Sequence, residues 1–497
     1  MIHFVVLLLL ETCVSRVSSV RFDAEHSQVN YSGIASGITL PVYYFQLNLF
    51  DKNGEQLDES PENNPNVEVL GADGSQIRSK VELLDTKNGR FMGRIKTFQL
   101  LEKVTIRVTD EDSGKEFGNS RRRFENLNHD ECSCPVEIER FQEAFELEHR
   151  EDDVLIGFDQ MSYESNNEQI REYFAARPNS CALCHYVIKA GRIYRQCYGK
   201  HVGFNMFSDA TLIALSRIVK LPDVQFWMNL GDWPHSTVNK KRKEEQLFQM
   251  VSWGSHQDFK DLVVPTYDLM DSTLGMMHRL SKDQFSVQST GRQTQWTEKI
   301  EKGFFRGRDS RQERLDLAEM SQKNPELIDA AITRYFFFKE DESKYGPRSE
   351  HVPFADHFKF KYQINVDGTV AAYRLPYLIL GNSVVLKQES AYYEHFYPKL
   401  EAWKHFIPLK RDLSDIVEKI QWAKENDAEV AEIARAAHRV VEKETEPVRV
   451  LWSWISLLKR ISEKMTGEVE INDEMEEVQI PVSHRPCSCS SRQHNEL

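Results

Sequence analysis

Hydrophobic and polar residues alternate along the chain between residues 20 and 125, which is the pattern of short β-strands. Val42–Leu49 alternates aromatic with polar positions, and Val104–Val108 alternates apolar residues with Thr and Arg. Between such runs, Asp51-Lys52-Asn53-Gly54 and Ala72-Asp73-Gly74 supply the residues that tight hairpin turns require. We therefore predict an all-β sandwich over residues 20–125.

The pattern changes after residue 130, where helical periodicity alternates with short apolar runs. A helix over Asp209–Val219 leads into a strand over Val224–Leu230, and a second unit places a strand over Val384–Lys387 ahead of a helix that starts at Asp412. This alternation predicts an α/β fold. Two series of such units over residues 130–464 predict two facing lobes, with the ligand in the cleft at the carboxyl ends of the strands.

Both ends of the chain carry targeting signals. The apolar run Met1–Leu10 is too short to span a bilayer, and with the small residues that follow it predicts a signal peptide over residues 1–19; a buried strand is the alternative. An acidic, exposed tail at 465–497 ends in His494, Asn495, Glu496 and Leu497, a variant of the Lys-Asp-Glu-Leu retrieval signal. These signals predict the endoplasmic reticulum lumen, a retrieval receptor as partner and no membrane span.

The cysteines fit an oxidising compartment. Of the eight, Cys13 lies in the signal peptide, and the others are Cys132, Cys134, Cys181, Cys184, Cys197, Cys487 and Cys489. Structural disulfides are the favoured interpretation, with one thiol left over, because Cys181-Ala-Leu-Cys184 lacks a second pair at zinc-finger spacing. Their pairing cannot be predicted from the sequence. The sequon Asn30-Tyr31-Ser32 predicts a glycan on Asn30.

Charge and missing motifs exclude several classes of function. The 497 residues carry a net charge of -14, which argues against a nucleic-acid partner, so basic clusters need a local ligand such as a small phosphate ester. The sequence has no phosphate-binding loop of the NTPases, no His-Glu-X-X-His and no nucleophile elbow. No Asp-X-Asp stands where it would hold a metal-bound nucleotide. Arginines in place of a metal ion are the consistent hypothesis.

Asp232 is the first candidate for chemistry. It directly follows a predicted strand, between Gly231 and Trp233-Pro234, which places a carboxylate at the mouth of the cleft. From there it can act as the general base that deprotonates an acceptor hydroxyl. The alternative is a turn-forming aspartate without a catalytic role.

Two stretches that combine arginine with small residues are candidates for binding phosphates. One is Gly303–Arg314 at a strand-to-helix junction, and the other is Gly368–Arg374 after the predicted strand Tyr362–Val366. Glycine permits close backbone approach, and guanidinium groups with helix-start amides suit a diphosphate. A basic surface loop and plain helix packing are the respective alternatives. The residues predicted to bind the nucleotide are Arg306, Arg308, Arg314, Thr369, Val370, Ala371, Ala372, Tyr373 and Arg374.

These features together resemble the protein O-glucosyltransferases, and in particular the branch with a filamin-type repeat at the amino terminus. The motifs occur in the family's order over residues 130–464: Cys181-Ala-Leu-Cys184-His185-Tyr186, Asn229-Leu-Gly-Asp-Trp-Pro234, Phe305-Arg-Gly-Arg-Asp-Ser-Arg311, Lys361-Tyr-Gln-Ile-Asn365, Asp367-Gly-Thr-Val-Ala-Ala-Tyr-Arg374 and Tyr393-Glu-His-Phe-Tyr397.

The resemblance implies a GT-B-like fold behind a filamin-like sandwich. It also implies an inverting, metal-independent transfer of glucose from UDP-glucose to serine in EGF-like repeats of Notch-like or extracellular-matrix proteins. The family's catalytic aspartate falls on Asp232, and its donor-binding arginines fall on Arg314 and Arg374. Arg308 stands where some members have a serine, and Gly231 stands where the family has an arginine. Two alternatives stay open: UDP-xylose as the donor, and a lumenal binding protein without activity.

Overall fold

The structure is a computed structural model that describes residues 20–148, 163–177, 179, 182–236, 250–277, 283–465, 467–483, 485–487 and 489. The predicted signal peptide at 1–19 and the predicted retrieval signal at 494–497 lie outside the described residues. No helix among the described residues is long and apolar enough to cross a membrane.

The amino-terminal region is all-β, and the two runs with the clearest alternation form strands. Its strands are β1 (Gln28–Gly33), β2 (Tyr43–Asn48), β3 (Pro65–Gly71), β4 (Ser79–Asp85), β5 (Arg90–Thr97), β6 (Leu101–Asp110) and β7 (Arg122–Leu127). They make two antiparallel sheets, ordered β1-β2-β5-β4 and β3-β6-β7. The apolar members of β2 and β6, such as Phe45 and Ile106, are fully buried in the core of this region.

Helices and strands alternate through the rest of the chain. The helices are α1 (Ile138–Ala144), α2 (Tyr163–Ala175), α3 (Asn205–Ile218), α4 (Tyr267–Leu274), α5 (Gln284–Gly291), α6 (Gln312–Lys323), α7 (Glu342–Tyr345), α8 (Phe354–His357), α9 (Leu375–Leu380), α10 (Ile416–Glu425), α11 (Asp427–Glu444) and α12 (Pro447–Lys464). The strands are β8 (Ala182–Lys189), β9 (Arg192–Gly199), β10 (Val224–Asn229), β11 (Met250–Ser252), β12 (Ser255–His256), β13 (Leu262–Val263), β14 (Ile300–Arg308), β15 (Ile328–Arg334), β16 (Phe360–Asn365), β17 (Val384–Gln388), β18 (Tyr392–Tyr393), β19 (Ile407–Leu409) and β20 (Glu476–Glu477). The helix predicted from Asp412 is two helices, because the chain bends at Asn426 between α10 and α11.

Two sheets organise this mixed α/β region. The first has the order β13-β11-β10-β8-β9-β20, in which β10, β11 and β13 run parallel. The second is fully parallel with the order β15-β14-β16-β17-β19. In chain order this is 2-1-3-4-5, so the direction of winding reverses between β14 and β16. Ligands of open α/β sheets bind at the carboxyl ends of strands at such a reversal.

The two lobes and the amino-terminal sandwich are joined by specific contacts. β12 of the first lobe pairs with β18 of the second, α11 packs on β17, and α12 returns to pack on β10. The sandwich is fixed by the fully buried Arg94, whose guanidinium bonds Asp283 and Glu82, each at 2.7 Å. Each partner is needed because a buried charge is costly unless paired.

The carboxyl-terminal segment, which the sequence predicts to be an exposed acidic tail, is attached to the rest of the fold. Most of its side chains are exposed, as expected, but β20 adds to the edge of the first sheet beside β9, where Glu476 pairs with Arg195. Disulfides Cys132–Cys487 and Cys134–Cys489 then tie the segment to the linker after the sandwich. A third disulfide joins Cys184 to Cys197, and Cys181 lies outside the described residues. The acidic segment is therefore tethered up to residue 489.

Candidate active site

Asp232 lies where the sequence predicts, in the loop just past the carboxyl end of β10. It borders a crevice of about 300 Å³ that is also lined by Lys200, His201, Phe204 and Trp233. The residue is exposed at the mouth, but the walls of the crevice partly desolvate its carboxyl group and raise its pKa. The positive charge of Arg308 opposes this rise. Asp232 is therefore an accessible carboxylate whose pKa is raised by burial and lowered by Arg308.

Asn229, the last residue of β10, fixes the loop on the near side of Asp232. Its fully buried amide oxygen accepts the backbone N–H of Gly231 at 2.9 Å, and its amide nitrogen donates to the carbonyl of Trp233 at 2.7 Å and to Ser252 Oγ at 3.2 Å. Each neighbour of Asp232 in the chain is thus held by the same side chain.

Asp261 fixes the loop on the far side. Its buried carboxylate accepts the backbone N–H of His235 at 3.0 Å and of Ser236 at 2.6 Å, and it accepts Ser252 Oγ–H at 2.6 Å. Burial raises the pKa of Asp261 to about 6. Since Ser252 also contacts Asn229, the three buried side chains form one connected frame around the loop. No pattern in the sequence predicted a role for Asp261.

The opposite wall is built where the second sheet reverses its winding. Arg308 ends β14 with an exposed side chain, and the Gly368–Arg374 stretch follows β16. Tyr392 joins this wall to the Asp232 crevice, since its ring centroid lies 5.9 Å from that of Trp233 and 5.6 Å from the Arg311 guanidinium. The structure thus brings Asp232 and the arginine-rich end of β14, which the sequence predicts separately, to the same cleft.

Arg314, in the first turn of α6, braces this wall from inside. Its guanidinium donates to three backbone carbonyls: Asp367 at 2.8 Å, Val366 at 3.1 Å and Arg308 at 3.1 Å. Burial lowers its pKa to about 9. Because these donors are already engaged, Arg314 holds the ends of β14 and β16 in register rather than reaching into open space.

Arg374, which immediately precedes α9, has the opposite character. One nitrogen donates to the carbonyl of Arg306 at 2.6 Å, whereas Nε and Nη2 are buried without a hydrogen-bond partner. Burial lowers its pKa to about 10, and the guanidinium lies 4.7 Å from the ring centroid of Phe305. Unpaired buried donors are costly, so this arrangement fits an anionic ligand that completes them.

The other predicted nucleotide-binding residues differ in how close they lie to this wall. The carbonyl of Thr369 accepts Arg311 Nη2–H at 3.3 Å, and Val370, Ala371 and Ala372 are buried small side chains of the same turn. Tyr373 is half-buried, and the negative charges of Asp232 and Glu394 add to the effect of burial in raising its pKa. The Tyr373 ring contacts that of Tyr267, which in turn contacts Phe204 in the Asp232 crevice.

The side chain of Arg306 is not brought to this group. Its guanidinium bonds Asp329 at 2.6 Å and Ser349 at 3.1 Å. Successive strand residues point to opposite faces, so Arg306 lies on the face opposite to Phe305, whose ring Arg314 and Arg374 contact. Asn30, the predicted glycan site, is exposed on β1 in the sandwich.

Glu394 is a further buried polar group for which sequence reasoning gave no role. It lies in the Tyr393–Tyr397 motif, fully buried, and neither carboxyl oxygen has a hydrogen-bond partner. Burial raises its pKa to about 8; Tyr397 and Lys387 oppose the rise, and Asp268 and Asp367 add to it. Its membership of a family motif was the only signal in the sequence.

One group of metal-ligand type occurs among the described residues, consisting of His129, Cys132 and Cys487. The two cysteines are joined to each other in a disulfide, so they offer no thiolate to an ion. This group lies at the tether of the carboxyl-terminal segment, away from Asp232.

Comparison with known proteins places the chain in a family. Residues 156–496 match the family model described as glycosyl transferase family 90. The chain is 40% identical over 469 residues to Protein O-glucosyltransferase 2 of Danio rerio, with 93% of this chain and 92% of that protein covered. It is 37% identical over 484 residues to Protein O-glucosyltransferase 3 of Homo sapiens, with 95% and 93% covered.

The crystal structure of TarM was found as a structural match with a TM-score of 0.29 and 11% sequence identity. The match covers 84% of this chain and 73% of the TarM chain. The family and sequence matches define the chain as a UDP-sugar-dependent glycosyltransferase. It belongs to glycosyl transferase family 90, and this confirms the family predicted from its motifs.

Proposed function

We propose that this chain is an inverting protein O-glucosyltransferase that moves glucose from UDP-glucose to a serine of an EGF-like repeat. The observation that carries the proposal is the cleft that the accessible Asp232 borders beside Trp233, whose ring contacts Tyr392 of the second lobe, together with the unpaired buried donors of Arg374. A base on one wall and cations on the other are what transfer from a nucleotide sugar to a hydroxyl requires. The names of the full-length relatives support glucose as the sugar.

The mechanism is a single displacement. Asp232 takes the proton of the serine hydroxyl as its oxygen attacks C1 of the sugar. The bond from C1 to the β-phosphate oxygen breaks on the opposite face, so the configuration at C1 inverts and UDP leaves. Arg308 and Arg374 offset the charge that grows on the diphosphate, and Arg314 keeps their backbone in place.

We further propose that the reaction needs no metal ion. Guanidinium groups match the geometry of phosphate oxygens and stay charged at neutral pH, so they can replace a divalent cation. Arg374 supports this view, since its two unpaired nitrogens need an anion directly. Activity in the presence of a chelator is the corresponding expectation.

The domain organisation and location complete the proposal. A filamin-type sandwich at 20–125 precedes a GT-B-like transferase at 130–464, and the two sheets with a returning α12 support the two-lobed description. The signal peptide at 1–19 and the retrieval signal at 494–497 address the protein to the endoplasmic reticulum lumen. EGF-like acceptors pass through that compartment in a folded state.

The test is UDP release by the purified full chain with a folded EGF-like domain, a chelator, and either UDP-glucose or UDP-xylose. Release should require the acceptor and fall by about 10²–10⁴-fold in Asp232→Asn, because a general base contributes that much. Asp58→Asn, at an exposed position of the sandwich, is the matched control. Faster release with UDP-xylose would change the donor. Binding of UDP without any release would favour the inactive binding protein.

A further inference from the structure

We infer that three consecutive phenylalanines at the mouth of the cleft form a docking surface for the folded body of the acceptor protein. Phe336, Phe337 and Phe338, here called the aromatic rim, follow β15 and are 55%, 65% and 36% exposed. No other large hydrophobic side chains of the described residues are both exposed and consecutive. Contiguous exposed apolar surface of this kind marks an interaction site.

The aromatic rim is held in place by a buried charge. The carboxylate of Asp309, which is fully buried, accepts the backbone N–H groups of all three phenylalanines at 2.8 to 2.9 Å. Burying a carboxylate is costly unless it is hydrogen-bonded in this way. The loop is therefore fixed before any partner arrives, which lowers the entropy lost when it binds.

The position of the rim points to the acceptor as its partner. Asp309 directly follows Arg308, whose guanidinium lies 5.6 Å from the ring centroid of Phe336. Arg311, two residues further on, lies 5.6 Å from the ring centroid of Tyr392, which contacts Trp233 of the facing wall. The facing wall carries two further exposed aromatic side chains, Phe204 at 41% and Trp233 at 53%, in the crevice of Asp232. Five of the ten large exposed hydrophobic residues of the described chain thus stand on these two walls.

Only a body seated in the cleft can touch both walls, and the donor is a polar molecule held by arginines. The partner is therefore the acceptor, and a rigid rim suits a folded domain with apolar surface beside its reactive hydroxyl better than an extended peptide. Aromatic side chains supply such contact at low entropic cost. This inference rests on the proposed function.

The test uses Phe337→Ser, Phe338→Ser and the double variant of the full chain, with Phe336 kept because it contacts the arginines. For transfer to a folded EGF-like domain, each single substitution should raise KM about tenfold, as expected for an interface anchor, with kcat at saturation unchanged. Val482→Ser removes an apolar side chain that is 83% exposed on the tethered tail, and it should leave KM unchanged. Retained UDP affinity verifies that the variants are folded.

Three outcomes separate the possibilities. An unchanged KM in the double variant overturns the inference. An unchanged KM together with lost binding to phosphatidylcholine and phosphatidylserine vesicles overturns it in favour of a membrane contact. If the wild-type chain transfers no sugar, the proposed function fails, and direct titration of the folded domain still decides the role of the rim: weaker binding in the double variant supports it, and equal binding overturns it.

Discussion

The two walls of the cleft satisfy their buried polar groups in opposite ways. Around Asp232, the hydrogen bonds of Asn229, Ser252 and Asp261 close on one another and on the loop backbone. Across the cleft, Arg374 and Glu394 keep buried polar atoms without partners. The hydrogen bonds of the first wall are complete without ligand and hold the Asp232 loop in position, whereas we propose that the second wall is completed by what binds to it.

Among the residues that support or complete the two walls, Arg374→Ala should have the largest effect, a loss of about 10²–10³-fold in kcat/KM, because it removes donors aimed at the leaving group. Arg374→Lys should not restore activity, since one ammonium cannot replace a planar fork. Arg306→Lys is the matched control, because that guanidinium is already engaged by Asp329 and Ser349. Steady-state kinetics of UDP release measures all three. Equal losses in Arg374→Lys and Arg306→Lys would contradict the assignment of roles.

Asp261→Asn should have an intermediate effect. The amide cannot accept every hydrogen bond that the carboxylate accepts, so the Asp232 loop shifts, and misplacement by about 1 Å costs up to 10²-fold in rate. The loss should appear in kcat, with the KM values of donor and acceptor unchanged, because Asp261 touches neither. Asp258→Asn, in the same loop between β12 and β13, is the control. A loss confined to KM would show that Asp261 does not act through Asp232.

The sequence predicts the positions of some residues of the site and not of others. Asp232 and Arg308 each follow a strong strand pattern, so their place at the strand ends was predictable. The register shift between β14 and β15 at Gly307 and Arg308 was not, nor was the engagement of Arg306 by Asp329. Asp261 meets its loop only through contacts 25 and 26 residues apart, and the tail disulfides span 355 residues. Local patterns carry no information on such distant contacts.

Glu394→Gln should have the smallest effect, on stability rather than rate. Its pKa is about 8 in the folded protein against 4.5 as the ordinary value, so the folded state holds the proton more tightly. The resulting stabilisation is full below pH 4.5 and is lost as pH rises toward 8. The neutral amide does not titrate, so the urea midpoint of the variant should fall less over this range than that of the wild type. Exposed Glu389→Gln is the control; an identical pH dependence in wild type and Glu394→Gln would contradict the burial of an unpaired carboxyl group.

The contrast between the two walls is tested most directly by calorimetric titration of UDP, with a chelator present, into the wild type, Asp232→Asn and Arg374→Ala. We expect UDP to bind the wild type and Asp232→Asn equally, although the latter transfers sugar far more slowly, and we expect Arg374→Ala to lose most of its affinity. Equal affinity of all three, or loss in Asp232→Asn alone, would contradict the division of the cleft into a wall that holds the base and a wall that the donor completes.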